Sequence, residues 1–513
     1  MKTIFKSLFV IGAAVCVLAA CSKDYLETAP ESSVSPTTIF ESTENAALAV
    51  NGLSKMMTSQ YLSTQGMNGE GTIKVWYGNC MGNDFQRCYL TGWHALWNWT
   101  SYTERNTSSY NYYVWFYYYK IIGNANQIIV NIDNAEGTDA ERAFIKAQAL
   151  TFRAYCFLML SQFYGNRWCD SNNGATQGIV LRIDDSTGDI PVSTLAETYT
   201  QIYKDLDEAI KLFQSSGMDR SNFYETNIDV AYAVYARAAL TREDWSNAAK
   251  YAALARKNYP LMSSKEYMDG GFSTPNGEWI WGVFEDSTQT LYYYSMYAYL
   301  ASNASSSMQR TYPCAISREL YDQIPQADAR RKMWLEPTDA ERAELDAYGR
   351  STGTLYKRAF AEYGSKLYST SLVYQYMHFK FLATFMPGGG SFNIFRSAEM
   401  YLIEAEADCH LNKATDAQNL LKELNKAHNP NYSCSLTGDA LLDEVKLYRR
   451  IDLWGEGFDW FDCKRWKKTI VRKSIKDGGS FSTGLAVTIT PTQGNNWTWV
   501  IPAKETDYND LIK

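Results

Sequence analysis

Residues 449–466 read Arg449-Arg450-Ile451-Asp452-Leu453-Trp454-Gly455-Glu456-Gly457-Phe458-Asp459-Trp460-Phe461-Asp462-Cys463-Lys464-Arg465-Trp466. Charged side chains alternate here with large rings. A charge set among Trp and Phe is drawn out of water with them, and a buried charge persists only when paired. Arg449, Arg450, Glu456, Asp462 and Arg465 are therefore expected to form a structural ion-pair network. Glu456 and Asp462 also admit an acid–base reading, since a glycosidase holds two carboxyls ~5 to 9.5 Å apart. The adjacent arginines oppose it: they keep carboxylates ionised, whereas a general acid needs a raised pKa. Glu404 and Glu406, two positions apart on one helix, face different sides.

Outward from this block the chain reads mostly as helix. Ala46, Ala47, Val50, Leu53 and Met57 have near-helical spacing within 40–62. Further helices are expected over 110–132, 138–164 and 195–214, the second opened by Thr138 and Glu141 at capping-box spacing. Two more follow closely at 228–241 and 244–258. Ala236, Ala248, Ala255 and Pro260 stand where tetratricopeptide repeats place small residues and a terminal Pro, and a weaker copy spans 398–430 with Ala405, Ala417 and Leu424. The stretches 66–109, 263–323 and 477–499 read as loop or short strand. Glu278-Trp279-Ile280-Trp281 reads as a buried strand, and Trp115 to Tyr119 as helix packed in the core.

Composition narrows the function. The 513 residues carry a net charge of −7. With no Lys/Arg cluster of the kind phosphates require, nucleic acid is excluded as a partner. No Gly-rich phosphate loop, nucleophile elbow or H-E-x-x-H motif occurs. The eight cysteines after Cys21 form no C-x-x-C pair, which removes zinc-ribbon and thioredoxin-type motifs; they read as mostly free thiols, with a Cys80–Cys88 bridge left open. No cofactor or metal is expected.

At the N-terminus Lys2 and Lys6 precede an apolar run from Leu8 to Ala20. About 13 residues is too short to span a bilayer, which takes about 20 in a helix, so residues 1–20 read as a secretory signal. Leu18-Ala19-Ala20-Cys21 is similar to a bacterial lipobox, which makes Cys21 the lipid-attachment residue. The only membrane attachment expected is through that lipid.

Several segments together resemble one family. They are Phe152-Arg153-Ala154-Tyr155 running on to Phe163-Tyr164-Gly165, Tyr199 to Ala209, Arg396 to Ala407, the 449–466 block, and Val500-Ile501-Pro502-Ala503-Lys504-Glu505. These resemble the SusD/RagB family of nutrient-binding outer-membrane lipoproteins. Tyr448, Cys463 and Arg167-Trp168 depart from the usual pattern without touching a chemical requirement. The resemblance implies a mainly α, tetratricopeptide-like scaffold with large loop-rich insertions and few short strands. It implies a SusC-like TonB-dependent outer-membrane transporter as partner, a location on the outer membrane facing the medium, and a glycan as ligand. A peptide ligand, a surface glycoside hydrolase and a protein-interaction scaffold are the alternatives. The chain divides into a signal (1–20), a tether (21–38), an N-terminal helical part (39–262, ligand loops at 66–109), a variable part (263–390) and a C-terminal part (391–513).

Aromatics make up 15% of the chain, with 38 Tyr and 15 Trp. A sugar presents C–H groups on its faces, which flat rings receive, and hydroxyls at its edge, which polar groups orient. The cluster Trp76, Trp93, Trp97, Trp99 and Tyr102, with Asn83, Asp84, Arg87 and Asn98 beside it, is the expected platform. Tyr292, Tyr293 and Tyr294 form a second candidate set.

Overall fold

The computed structural model describes residues 39–62, 66–88, 94–287 and 295–512. The expected mainly helical chain is what folds. Helix α1 (Thr43–Met56) starts at Ser42, whose hydroxyl accepts from Asn45 N. α2 (Ser109–Asn131) and α3 (Asp139–Tyr164) follow; α3 opens on the anticipated capping box, in which Thr138 and Glu141 satisfy each other's orphan N–H groups. α3 is the central post. It is buried almost continuously from Phe144 to Tyr164, which is why its sequence lacks a polar stripe.

α4 (Leu195–Ser216) packs along it, α5 (Ile228–Thr241) against both, and α6 (Trp245–Arg256) against α5. Ala233, Ala236, Ala248, Ala252 and Ala255 are buried between α5, α6 and their neighbours, and their small side chains let the helices approach closely. Beyond α7 (Thr354–Tyr363), the C-terminal helices α8 (Ser397–His410), α9 (Ala414–Asn425) and α10 (Gly438–Asp452) complete the scaffold, with α6 resting on α8.

Strands are short and pair in twos. β1 (Phe85–Arg87), β2 (Trp279–Val283), β3 (Cys314–Ile316) and β4 (Phe392–Arg396) make two such ribbons, β1 with β3 and β2 with β4, both antiparallel. The buried-strand reading of Trp279–Trp281 holds, since all five β2 residues are buried.

One hydrophobic cluster runs from Ala46 to Ile501. A satellite of Leu335, Leu355, Ala359, Leu367, Val373, Met377 and Phe379 lies in the variable part. The 449–466 block ties together segments far apart in the chain. Arg396 donates to Glu278 (2.7 Å), Asp452 (2.6 Å) and Glu456 (2.8 Å). Arg330 bridges Asp452 and Asp328, and Lys380 binds Glu456 at 2.8 Å. Arg465 grips Glu406 through both terminal nitrogens, while Asp462 accepts from Arg449 and Arg465. The anticipated network is thus present and extends beyond the block.

The stretch 66–109 departs from its loop reading. A seven-residue π-helix over Ile73–Asn79 is wholly buried. Gly78 and Gly82 let it dock: a Cβ on Gly78 would lie 2.1 Å from the Gly457 carbonyl oxygen, and one on Gly82 2.2 Å from Asp459 Cγ. All eight described cysteines are free thiols, Cys80 and Cys88 included.

Candidate ligand-binding cleft

A broad concavity lies in the variable part and encloses about 990 Å³, at the upper end of small-ligand sites. Its construction starts at Asp328, whose carboxylate caps a 3-10 turn over Ala329–Met333 by accepting from Arg330 N at 2.9 Å. Arg330 turns inward to Asp452 and is fully buried. Its neighbours Arg331 and Lys332 therefore line the cleft. Downstream, a capping box between Thr338 and Glu341 opens the short helix Asp339–Ala343 and carries Arg342 into the wall. Arg358 on α7 holds Glu341 at 2.8 and 2.9 Å. That hydrogen bonding keeps the Glu341 carboxyl ionised down to about pH 2.

The lining has an unusual layering. Tyr321 and Tyr376 pack with ring centres 5.2 Å apart but are only 2% and 0% exposed. Guanidinium groups cover them: Arg331 lies 4.2 Å from the Tyr321 ring centre and Arg342 5.8 Å from that of Tyr376. Tyr321 Oη donates to Glu336 at 2.9 Å, which Arg331 also holds at 3.0 Å. Tyr363, half-buried, stacks flat on Phe379 at 3.8 Å. The cleft thus shows a ligand planar cations and hydrogen-bond donors more than bare ring faces. Five basic and four acidic side chains line it, in a chain whose net charge is −7.

Among the described residues, none of those anticipated as ligand contacts lines this cleft. Cys21, Trp93, Tyr292, Tyr293 and Tyr294 lie outside the described residues. The displayed platform requires correction for Trp76, Trp97 and Trp99, which are buried rather than displayed. Trp76 packs edge-on to Tyr299 at 5.2 Å, with Arg87 5.0 Å from its ring centre. Trp99 donates to the Met81 carbonyl at 3.0 Å and lies between Trp497 and Trp460. Arg472 covers Trp97 and donates to its carbonyl at 2.8 Å.

The polar neighbours are likewise consumed. Asn83 donates to Asp84 and accepts from Val471 N, Asp84 receives Arg450 at 2.7 and 2.8 Å, and Arg87 donates to the Tyr312 and Tyr299 carbonyls. Burial without partners would cost several kcal/mol, and these side chains spend their hydrogen bonds inside the protein, with Arg87 Nε alone left without a partner. Asn98 is exposed and Tyr102 half-buried beside Tyr110, so these two remain open to a ligand. Sequence reading missed the cleft residues, although a signal existed. Arg318, Arg330, Arg331, Lys332, Arg342 and Arg358 fall within one stretch in which eight basic side chains are matched by eight acidic ones.

A helical scaffold with loop-rich insertions carries this broad polar cleft, and the comparisons name the family. The chain belongs to the SusD family, whose model matches residues 245–510. A second family model, described as starch-binding associating with outer membrane, matches residues 24–240. No curated protein matches the chain. A SusD-like carbohydrate binding protein from Bacteroides vulgatus shares 24% identity and a TM-score of 0.75, over 92% of this chain and 98% of its own. A SusD superfamily protein from Bacteroides thetaiotaomicron shares 21% identity and a TM-score of 0.70, over 92% and 99%. These similarities establish the fold.

Proposed function

We propose that this protein captures an extracellular glycan at the outer membrane and hands it to a SusC-like TonB-dependent transporter, tethered through lipid on Cys21. The observation that carries the reading is family membership across both halves of the chain, one half matching a model described as starch-binding and outer-membrane-associated. The relative from Bacteroides vulgatus described as carbohydrate-binding supports it. So does the cleft of about 990 Å³, which has room for several sugar rings and donors to meet their hydroxyls.

Capture proceeds without hydrolysis in this reading. Burial pushes the Glu456 carboxyl up, but Arg396 and Lys380 override it and hold it below the usual carboxylate range. Burial likewise opposes ionisation of Glu406, and Arg465 overrides it, leaving a pKa of about 2. Neither supplies a general acid, which needs its proton near neutral pH. Incubating the purified protein with a polysaccharide panel tests this reading. Retention of a polysaccharide with no shortened products supports it; release of shorter products assigns a hydrolase, and retention of a peptide digest alone assigns a peptide ligand.

A further inference from the structure

We propose that the cleft selects glycans bearing a carboxylate, such as uronic or sialic acid residues, and that Arg342 is the group that receives it. This rests on the glycan-capture reading and narrows its ligand class. Among the cleft guanidiniums, Arg331 is committed to Glu336 and Arg358 to Glu341 and Glu362, while Arg318 pairs with Asp322 at 3.4 Å. Arg342 has no carboxylate within ion-pair distance among the described residues. Its contacts are to neutral acceptors at long range: Gln375 Oε1 (3.4 Å), the Pro337 carbonyl (3.4 Å) and Tyr376 Oη (3.3 Å).

A half-buried guanidinium held in place by weak neutral contacts is oriented but unsaturated. A planar carboxylate offers two oxygens to its fork, and such charge-assisted pairs are about twice as strong as neutral ones. Lys332, exposed and likewise without an ion pair among the described residues, adds a second cation. Of the cleft carboxylates, Asp328 is consumed by buried Arg330 and Glu336 by Arg331 and Tyr321; Asp339 is exposed on the first turn of its short helix. Two of the rings that a neutral sugar would stack upon, Tyr321 and Tyr376, lie beneath Arg331 and Arg342, which leaves Tyr363 as the half-buried ring of the cleft.

Isothermal titration tests this with oligogalacturonate, oligoalginate and sialyllactose, each against its methyl ester, alongside neutral oligosaccharides. The esters keep every hydroxyl and remove only the charge. At least one acid should bind roughly tenfold or more tighter than its ester, with affinity falling as salt rises. Arg342→Gln should erase that preference at an unchanged melting temperature, and Lys332→Gln, on the exposed rim, should reduce the salt dependence. Equal binding of acids and esters, an intact preference in Arg342→Gln, or binding of neutral glycans alone would overturn the carboxylate assignment and leave glycan capture standing. Absence of binding to any glycan, neutral or acidic, would overturn both.

Discussion

Arg396, the last residue of β4, meets Glu456 through both Nε and Nη2 at 2.8 Å, 60 positions further along the chain and almost fully out of water. Asp452 and Glu278 share the same guanidinium, and Lys380 shares the Glu456 carboxylate. One buried cluster thus ties β2, β4, the segment around Lys380 and the end of α10 together. Buried ion pairs of this kind add little net stability over an apolar replacement, but removing one partner strands the others.

Glu456→Ala should therefore destabilise the protein by about 3–5 kcal/mol, because Arg396 and Lys380 would lose their shared carboxylate. Urea unfolding of the two proteins measures it. A loss below about 1 kcal/mol would mean that water satisfies the cluster already.

Trp99→Ala should cost about 3–5 kcal/mol, since a fully buried indole between Trp460 and Trp497 leaves a cavity. Asn98→Ala, one position earlier and exposed, should change stability by less than about 0.5 kcal/mol. Thermal melts separate the two. Equal melting temperatures would restore Trp99 to a displayed role.

Gly78→Ala should be as harmful as a large core truncation despite adding one methyl. Its Cβ would press on the Gly457 carbonyl, and neither backbone can yield without moving the π-helix off the C-terminal block. Circular dichroism melts should show a fall of several degrees.

Stability should vary with pH in two opposite senses. Burial holds the His378 imidazole neutral, lowering its pKa to about 3, against about 6.5 in an unfolded chain. The unfolded state binds the extra proton between those values, so stability present above pH 6.5 is lost as pH falls toward 3. Glu406, held at about 2 against burial by Arg465, adds a loss below about pH 4.3. Glu285 works the other way. Burial raises it to about 8, so its contribution is full below about pH 4.3 and is lost as pH rises through 8. Glu285→Gln should raise the melting temperature at pH 8.5 and leave it nearly unchanged at pH 4.5. An equal effect at both values would remove titration as the cause.

The helices were legible because their signals are local. Thr138 and Glu141 announce α3 by spacing alone, and the alanines of α5 and α6 announce close packing. The ion-pair network was legible because charge among rings admits few outcomes. The platform was not. Trp97 and Trp99 sit in a segment rich in polar and small residues, and whether such rings face solvent or Trp460 depends on a partner some 360 positions away. The cleft escaped for a related reason. Its walls come from turns at 318–342, from α7 and from Tyr376, and no periodicity links them. Only the density of charge of both signs over 318–358 pointed there.

Hydrogen–deuterium exchange with a bound oligosaccharide from the panel tests most directly that ligand is held in this cleft. Slowed exchange should concentrate on residues 321–342 and around Tyr376. Protection confined to 98–110, with the cleft segments unchanged, would contradict it.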